Sequence, residues 1–204
     1  MEQNSIETAQ ASSDGKLCLV NHGLSFGPVV LTNDEERIPS VARVGKSSQE
    51  NGEILFSIVL PSVTFEGTAS FSLADEKALR ARYVVVPNEN TNILSVELDA
   101  SLPGKFYRGG TYAFRDGMDG VFPDPGHGFA IAALGEAVAI GPGSKGLGFT
   151  LERDLCGPIR IREDALSDLF RLRVPFASRK LTKGVPYELG FTLRLPCPLT
   201  LEWL

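Results

Sequence analysis

The amino-acid sequence predicts an all-β fold, an antiparallel β-sandwich of roughly twelve short strands with little helix. The first observation behind this prediction is that several segments alternate apolar and polar residues, the pattern of a half-buried strand. The second is that 21 glycines and 13 prolines exceed the usual usage and separate these segments with turn signals. The third is that no segment is typical of a helix longer than about two turns.

Residues 1–14 are polar, with neither a basic start nor an apolar core, so they predict a disordered N-terminal tail rather than a signal peptide. Residues 15–204 are then expected to form a single β-sandwich domain. In its first half, strands are predicted at 16–20, 24–31, 53–60, 63–73, 78–86 and 92–100, with a polar hairpin loop at 45–52. The alternation is clearest in 63–73, where Val63 and Phe65 share one face and Thr64 lies on the other.

The segment 103–128 differs from the rest because it holds seven glycines, three prolines and three aspartates. It predicts two short strands and a long loop. Further strands are predicted at 129–134, 136–140, 147–151, 158–162, 169–176 and 185–195, with a turn at 163–168 and a loop at 178–184.

Composition and charge exclude several classes of protein. The formal charge of −5 argues against non-specific nucleic-acid binding. No window carries the run of about 18 apolar residues that a membrane helix needs. Cys18, Cys156 and Cys197 form no C-x-x-C pair, so we expect no structural zinc site but three small apolar residues on or beside strands. One disulfide with a free thiol is the alternative.

Aromatic residues in the 103–128 segment are the first candidates for a binding site. Phe106, Tyr107, Tyr112 and Phe114 flank Gly109-Gly110. Flat aromatic faces with polar groups at the rim are suited to holding sugars. Strand alternation also requires at least one pair of these rings to lie in the core.

The same segment carries Asp116, Asp119 and Asp124, with His127 after them. Aspartates in such loops are usually turn formers, because their side chains bond to their own backbone. Two alternatives are a calcium ion held by these carboxylates and a small hydrolase or lyase that uses them with His127. The sequence contains no G-x-S-x-G elbow, and the prediction on enzyme activity leans towards none.

A stripe of arginines lies at strand alternation near the C-terminus: Arg160, Arg162, Arg171, Arg173 and Arg194. The ordinary interpretation is cross-strand pairing with Glu152, Glu163 and Glu188 on a solvated face. Binding of an anionic ligand is the alternative.

Four segments together resemble the β-sandwich accessory domains that precede the catalytic domain in some bacterial polysaccharide-degrading glycoside hydrolases. They are ALRARYVVVP, NILSVELDASLPGKFYRGGTYAF, FRLRVPF and LTKGVPYELGFTLRL, within about residues 78–195. The similarity includes a V-x-L-x-x-x-L-P strand leading to an aromatic and a Gly-Gly pair, and a K-G-x-x-Y-E-L strand. The resemblance implies no catalytic residues. It implies contact with carbohydrate or with an adjacent catalytic domain in an exported enzyme.

We therefore expect a non-catalytic, carbohydrate-related β-sandwich module, without a cofactor and without nucleic-acid or membrane partners. Its expected ligand-binding residues are Tyr107, Tyr112, Arg115, Asp116, Asp119 and His127. A structural or protein-interaction β-domain with no sugar affinity is the alternative. The sequence leaves two compartments open. The protein is exported if the resemblance holds, and the chain is then an excised piece or a free-standing relative; it is cytoplasmic if Met1 is the native start.

Overall fold

A computed structural model describes residues 6–32, 43–50, 53–126, 128–143, 146–164 and 166–203, without the side chains of 43–50, 155 and 156. The strands of this part are β1 (Glu7–Ala11), β2 (Leu17–Leu19), β3 (Leu24–Leu31), β4 (Arg43–Glu50), β5 (Glu53–Val59), β6 (Thr64–Asp75), β7 (Ala78–Pro87), β8 (Thr91–Pro103), β9 (Thr111–Phe114), β10 (Asp119–Val121), β11 (Ala130–Ile140), β12 (Phe149–Asp164), β13 (Leu169–Leu181), β14 (Tyr187–Arg194) and β15 (Leu199–Trp203). Helix in the described residues is confined to a 3-10 turn at Val20–His22 and the four-residue helix α1 (Gly104–Tyr107). The predicted all-β class is confirmed.

The strands join into one strongly curled, mixed sheet, and the fold is a half-barrel. The strand order is β15-β1-β2-β3-β8-β13-β12-β14-β7-β6-β5-β4, and β11, β9 and β10 branch from β12. β1 and β15 pair in parallel, whereas their neighbours pair antiparallel. The prediction of an antiparallel sandwich is thus corrected at this level, because the ladder runs on from strand to strand through a parallel pair.

Contacts between strands far apart in this order show how tightly the sheet curls. The Phe56 ring on β5 lies against the turn between β1 and β2, where a Cβ atom at Gly15 would come within 2.7 Å of it. From the last strand, the amide of Leu199 donates to the carbonyl of Glu76, which follows β6, at 2.8 Å. The two ends of the path therefore meet across the interior.

The interior of the curl is filled by apolar side chains from nearly every strand. Phe26 on β3 packs edge-on against Phe149 on β12 at 5.8 Å between ring centroids. Tyr83 on β7 stacks with Phe191 on β14 at 6.2 Å. These rings, together with fully buried residues such as Leu98 and Leu172, form a core that supplies most of the hydrophobic stabilisation.

Several predicted boundaries are corrected. Residues Glu7–Ala11 of the expected tail form β1, because β15, which was not predicted, lies beside them and completes their hydrogen bonding. The expected hairpin loop at 45–52 is β4 over Arg43–Glu50. The expected loop at 178–184 is strand β13 as far as Leu181, where β8 pairs with it. No helix among the described residues is long and apolar enough to cross a membrane.

Candidate functional site

The structure buries the two tyrosines of the predicted binding surface. Tyr107 ends α1 with no exposed side-chain surface, and its hydroxyl donates to the carbonyl of Leu147 at 2.7 Å. Tyr112 on β9 is 8% exposed. Burial raises the pKa of the Tyr107 hydroxyl well above its usual range, against the smaller opposing effect of its hydrogen bond. Neither ring offers a free face to a sugar, so the expected platform is corrected.

Both tyrosines belong to an aromatic cluster: Tyr107, Tyr112, Phe114, Phe122, Phe129 and Phe170. Neighbouring ring centroids lie between 4.7 and 6.3 Å apart, mostly in edge-on or tilted arrangements. Such geometry adds to the stabilisation gained from burial alone. The aromatic residues around Gly109-Gly110 thus hold the β9–β10 hairpin onto β13.

The polar residues of the predicted surface are exposed but do not converge. Asp116 lies in the turn that joins β9 to β10, and Asp119 is the first residue of β10. Arg115 instead forms ion pairs with Glu152 at 2.9 Å and with Glu136 at 3.5 Å. His127 lies outside the described residues. Within the part of the chain that the structure describes, no group of three His, Cys, Asp or Glu side chains could hold a metal ion.

An ion-pair network that sequence reasoning did not find holds this segment in place. Arg108 contacts Glu163 at 3.1 Å and Asp168 at 2.5 Å, and its guanidinium lies 5.1 Å from the centre of the Phe170 ring. Glu163 also accepts from the Gly126 amide at 3.3 Å. Burial alone would raise the pKa of Glu163, but the hydrogen bonds from Arg108 and Gly126 outweigh it and lower that pKa. The predicted pairing of Glu163 with the arginine stripe is therefore wrong, because Glu163 pairs with Arg108 instead.

The thiols that the structure describes do not form an activated nucleophile. Burial is the main cause that raises the pKa of both Cys18 and Cys197, which keeps them protonated at neutral pH. Both are free cysteines. The buried side chain of Glu7, the first residue of β1, contacts Nδ1 of His22 at 2.5 Å. That pair holds the 3-10 turn against the sheet, since Glu7 also accepts from the Asn21 amide at 3.1 Å.

A groove of about 680 Å³ lies where the sheet splits. β12 pairs with β14 as far as Arg153. On the same side, β12 pairs with β13, but only from Arg160 onwards. Between these points β13 and β14 diverge, and a volume of this size suits a small-molecule ligand.

The split follows from residues that interrupt a strand ladder. Pro158 on β12 and Pro175 on β13 have no amide proton to donate across the gap. A bulge between Pro175 and Ala177 leaves Phe176 without a partner on β8 and directs its side chain into the groove. A second bulge follows at Arg179, whose backbone is left-handed with φ 63°.

Aromatic and charged groups line this groove together. Phe176 and Tyr187 are half-buried, and the Tyr187 hydroxyl accepts from the amide of Thr182 at 2.9 Å. Asp154 lies against Gly190, where a Cβ atom would collide with the carboxylate. The guanidinium of Arg153 lies over Gly157, 2.9 Å from the position of a Cβ atom there. The two glycines make room for the two charged groups beside the aromatic walls.

Glu188 forms the outer rim of the groove. It receives two hydrogen bonds from Arg82, at 2.5 and 2.8 Å. These bonds are the main reason that its pKa is lowered, against a weaker effect of burial. The carboxyl group is thereby held ionised.

The arginine stripe pairs across strands as expected, but mostly with other carboxylates than predicted. Arg194 contacts Glu152 at 3.4 Å, which confirms one predicted partner. Arg171 and Arg173 share Asp99 on β8, at 2.8 and 2.9 Å, and Arg160 pairs with the buried Glu97. Glu163 and Glu188 pair instead with Arg108 and Arg82. The acidic partners on β8 could have been anticipated from Glu97 and Asp99 alternating with Val96 and Leu98.

The sequence matches no protein-family model, and a search of curated proteins finds no significant match.

Proposed function

We propose that the chain is a non-catalytic, carbohydrate-related binding module and that its ligand occupies the groove between β13 and β14. The observation that carries this proposal is that two half-buried aromatic side chains, Phe176 and Tyr187, line one open groove together with Arg153 and Asp154. Sugars present apolar faces and a rim of hydroxyl groups, and this groove offers surfaces of both kinds.

The position of the groove in the sequence also supports the proposal. Tyr187, Glu188 and Leu189 end the K-G-x-x-Y-E-L strand on which the resemblance to glycoside hydrolase accessory domains rests. The proposal therefore keeps the expected class of ligand and moves its site from the 103–128 segment to the groove between β13 and β14.

A binding role suits the groove carboxylates better than catalysis. General acid catalysis of glycoside hydrolysis needs one carboxyl group that stays protonated, with a raised pKa. Glu188 has a lowered pKa because Arg82 holds it ionised. An ionised rim carboxylate can accept hydrogen bonds from sugar hydroxyl groups without entering a reaction.

The strand edge at the groove, which is interrupted by a proline, favours a small ligand over an added peptide strand. Pro175 removes one donor from the open edge of β13, and the bulges beside it twist that edge. A peptide strand entering the gap would lose part of its ladder there. A carbohydrate does not need that regular ladder.

The test is a glycan array with the purified chain, followed by titration calorimetry on each hit. Tyr187→Ala should weaken binding by at least about tenfold, or about 1.4 kcal/mol, because it removes the stacking face. Tyr187→Phe keeps that face and should bind within about threefold of wild type. Asp119→Ala, in the segment first predicted to bind, is the control and should change nothing. A blank array with and without calcium, or equal losses in Tyr187→Ala and Asp119→Ala, contradicts the proposal.

A protein-interaction β-domain is the second candidate. It is favoured by β10, which pairs only with β9 among the described strands and carries Val121 with 58% of its surface exposed. An unpaired edge with an exposed apolar residue is suited to contact with another chain. This candidate predicts a concentration-dependent oligomer in light scattering that Val121→Lys dissociates.

A further inference from the structure

We infer that the outer face of β12 and β13 is a binding site for anionic glycans, recognised by their carboxylate or sulfate groups. The site consists of Arg160, Arg162, Arg171 and Arg173, hereafter the arginine patch. Anion binding there is independent of the groove, whereas the assignment of a glycan as the ligand rests on the proposed function.

The strand register places these arginines in two facing pairs. Arg160 lies opposite Arg173, and Arg162 lies opposite Arg171. Like charges directly opposite each other on a sheet are destabilising, so nearby carboxylates are needed to offset the repulsion. Asp99 lies between Arg171 and Arg173 and contacts both. Arg162 is exposed and makes no hydrogen bond or ion pair with the described residues.

Two of the three carboxylates that pair with this patch, Glu97 and Asp99, lie below the guanidinium groups, whereas Asp164, 3.9 Å from Arg171, is 33% exposed. The side chains of Glu97 and Asp99 are 0% and 10% exposed, whereas those of Arg160, Arg171 and Arg173 are 38%, 27% and 19% exposed. Solvent and ligands therefore meet four arginines with one partly exposed carboxylate, Asp164, at the edge, although the chain as a whole carries −5. Guanidinium groups bind carboxylates and sulfates through short, charge-assisted hydrogen bonds.

Small neighbours leave the patch accessible from one side. On β11, Ala132 lies opposite Arg160 and Ala130 lies opposite Arg162, and both alanines are exposed. No long side chain of β11 stands over the arginines from these two positions. An anion can therefore approach Arg162 from the side of β11, over these two alanines.

The shape of the patch favours a ligand with repeated charges over a single enclosed anion. Residues two apart on a strand are separated by about 7 Å, and neighbouring strands by about 4.8 Å, so the arginines form an open grid. Pro158 and Pro175 lie two residues from Arg160 and Arg173 on the same face, and both also line the groove. One extended glycan can thus cover the patch and enter the groove.

The experiment compares Arg162→Glu with Arg80→Glu, which makes the same charge change at an exposed arginine on β7. The probes are polygalacturonate and sulfated galactan oligosaccharides, neutral galactan and a single-stranded oligonucleotide, measured by calorimetry at two salt concentrations. Wild type should bind both anionic glycans, more weakly at high salt. Arg162→Glu should weaken that binding at least about tenfold, and Arg80→Glu less than about twofold.

Equal losses in the two variants, or no binding of either anionic glycan, overturns the inference. Equal affinity for the oligonucleotide, or affinity for free sulfate equal to that for the oligosaccharides, overturns the assignment of a glycan. A different result contradicts only the groove proposal. In that case Tyr187→Ala leaves all binding unchanged, while Arg162→Glu still abolishes binding of the anionic glycans. If neutral galactan binds and only Tyr187→Ala matters, the groove proposal stands and the arginine patch is overturned.

Discussion

Two regions of this molecule contain tyrosines beside charged residues, yet one is closed and the other open. In the segment from α1 to β10, Tyr107 and Tyr112 are buried in the aromatic cluster, and Arg108 is held by Glu163 and Asp168. At the groove, Tyr187 and Phe176 are only half-buried, and Arg153 and Asp154 line about 680 Å³ of open volume.

The difference lies in the strand ladder rather than in composition. β9 pairs with both β10 and β11, so every ring on its inner face meets another ring. At the groove, β12 and β13 pair only from Arg160 onwards, and Pro158 and Pro175 lack the amide protons that would extend the ladder. In a curled sheet, an opening is therefore expected where proline and bulges interrupt pairing, and not where glycine and aromatic residues are densest.

The largest expected effect sharpens this comparison through its two kinds of tyrosine. Tyr107→Ala should lower the free energy of unfolding by about 3–5 kcal/mol, because it leaves a cavity and an unsatisfied Leu147 carbonyl. Tyr187→Ala should cost less than about 2 kcal/mol, since its ring already meets solvent. Urea unfolding followed by circular dichroism measures both. A Tyr187→Ala cost equal to that of Tyr107→Ala would mean that the groove wall is packed as core.

A second pair of variants tests the two regions through their glycines. A Cβ atom at Gly110 would collide with backbone atoms, including the Gly143 nitrogen at 2.6 Å, so Gly110→Ala should cost about 1–3 kcal/mol of unfolding free energy. A Cβ atom at Gly190 would meet only the end of the Asp154 side chain, which can rotate away. Gly190→Ala should therefore cost less than about 1 kcal/mol while it displaces a groove carboxylate. Thermal unfolding of both variants provides the comparison, and a reversed order would contradict it.

The parts of the fold that follow from local pattern could be predicted from the sequence. The alternation of β6 and β7 and the turn between them follow from side chains that face core and solvent in turn. The parallel pairing of β1 with β15 could not be predicted, because it joins residues almost 200 positions apart and β1 has no strong alternation of its own. The curl likewise depends on long-range contacts such as Phe56 against Gly15.

The candidate site was harder to predict than the fold for a related reason. Tyr107, Tyr112 and the aspartates drew attention through residue type, but residue type does not determine burial. The groove needs three strands to part at one place, and Pro158 and Pro175 were its local signals in the sequence. The arginine stripe was visible as alternation, whereas its partners Glu97 and Asp99 are more than 60 residues away.

The smallest expected effect concerns the charges that close the first region. The lowered pKa of Glu163 means that its carboxylate stabilises the folded state above the unfolded pKa of about 4.3, and that this contribution is lost as pH falls through the lower folded value. Glu163→Gln does not titrate and still accepts hydrogen bonds from Arg108 and Gly126, so it should destabilise less than the variants above. The difference in unfolding free energy between this variant and wild type should persist from pH 7 to pH 5 and narrow below about pH 4.

Unfolding of Glu163→Gln, Arg108→Met and the double variant, measured at pH 7 and pH 3, gives the interaction energy of the Arg108–Glu163 pair. A gap that is the same at both pH values would show that Glu163 holds this region by packing alone, and the contrast with the solvent-exposed charges at the groove rim would then lie in burial and not in electrostatics.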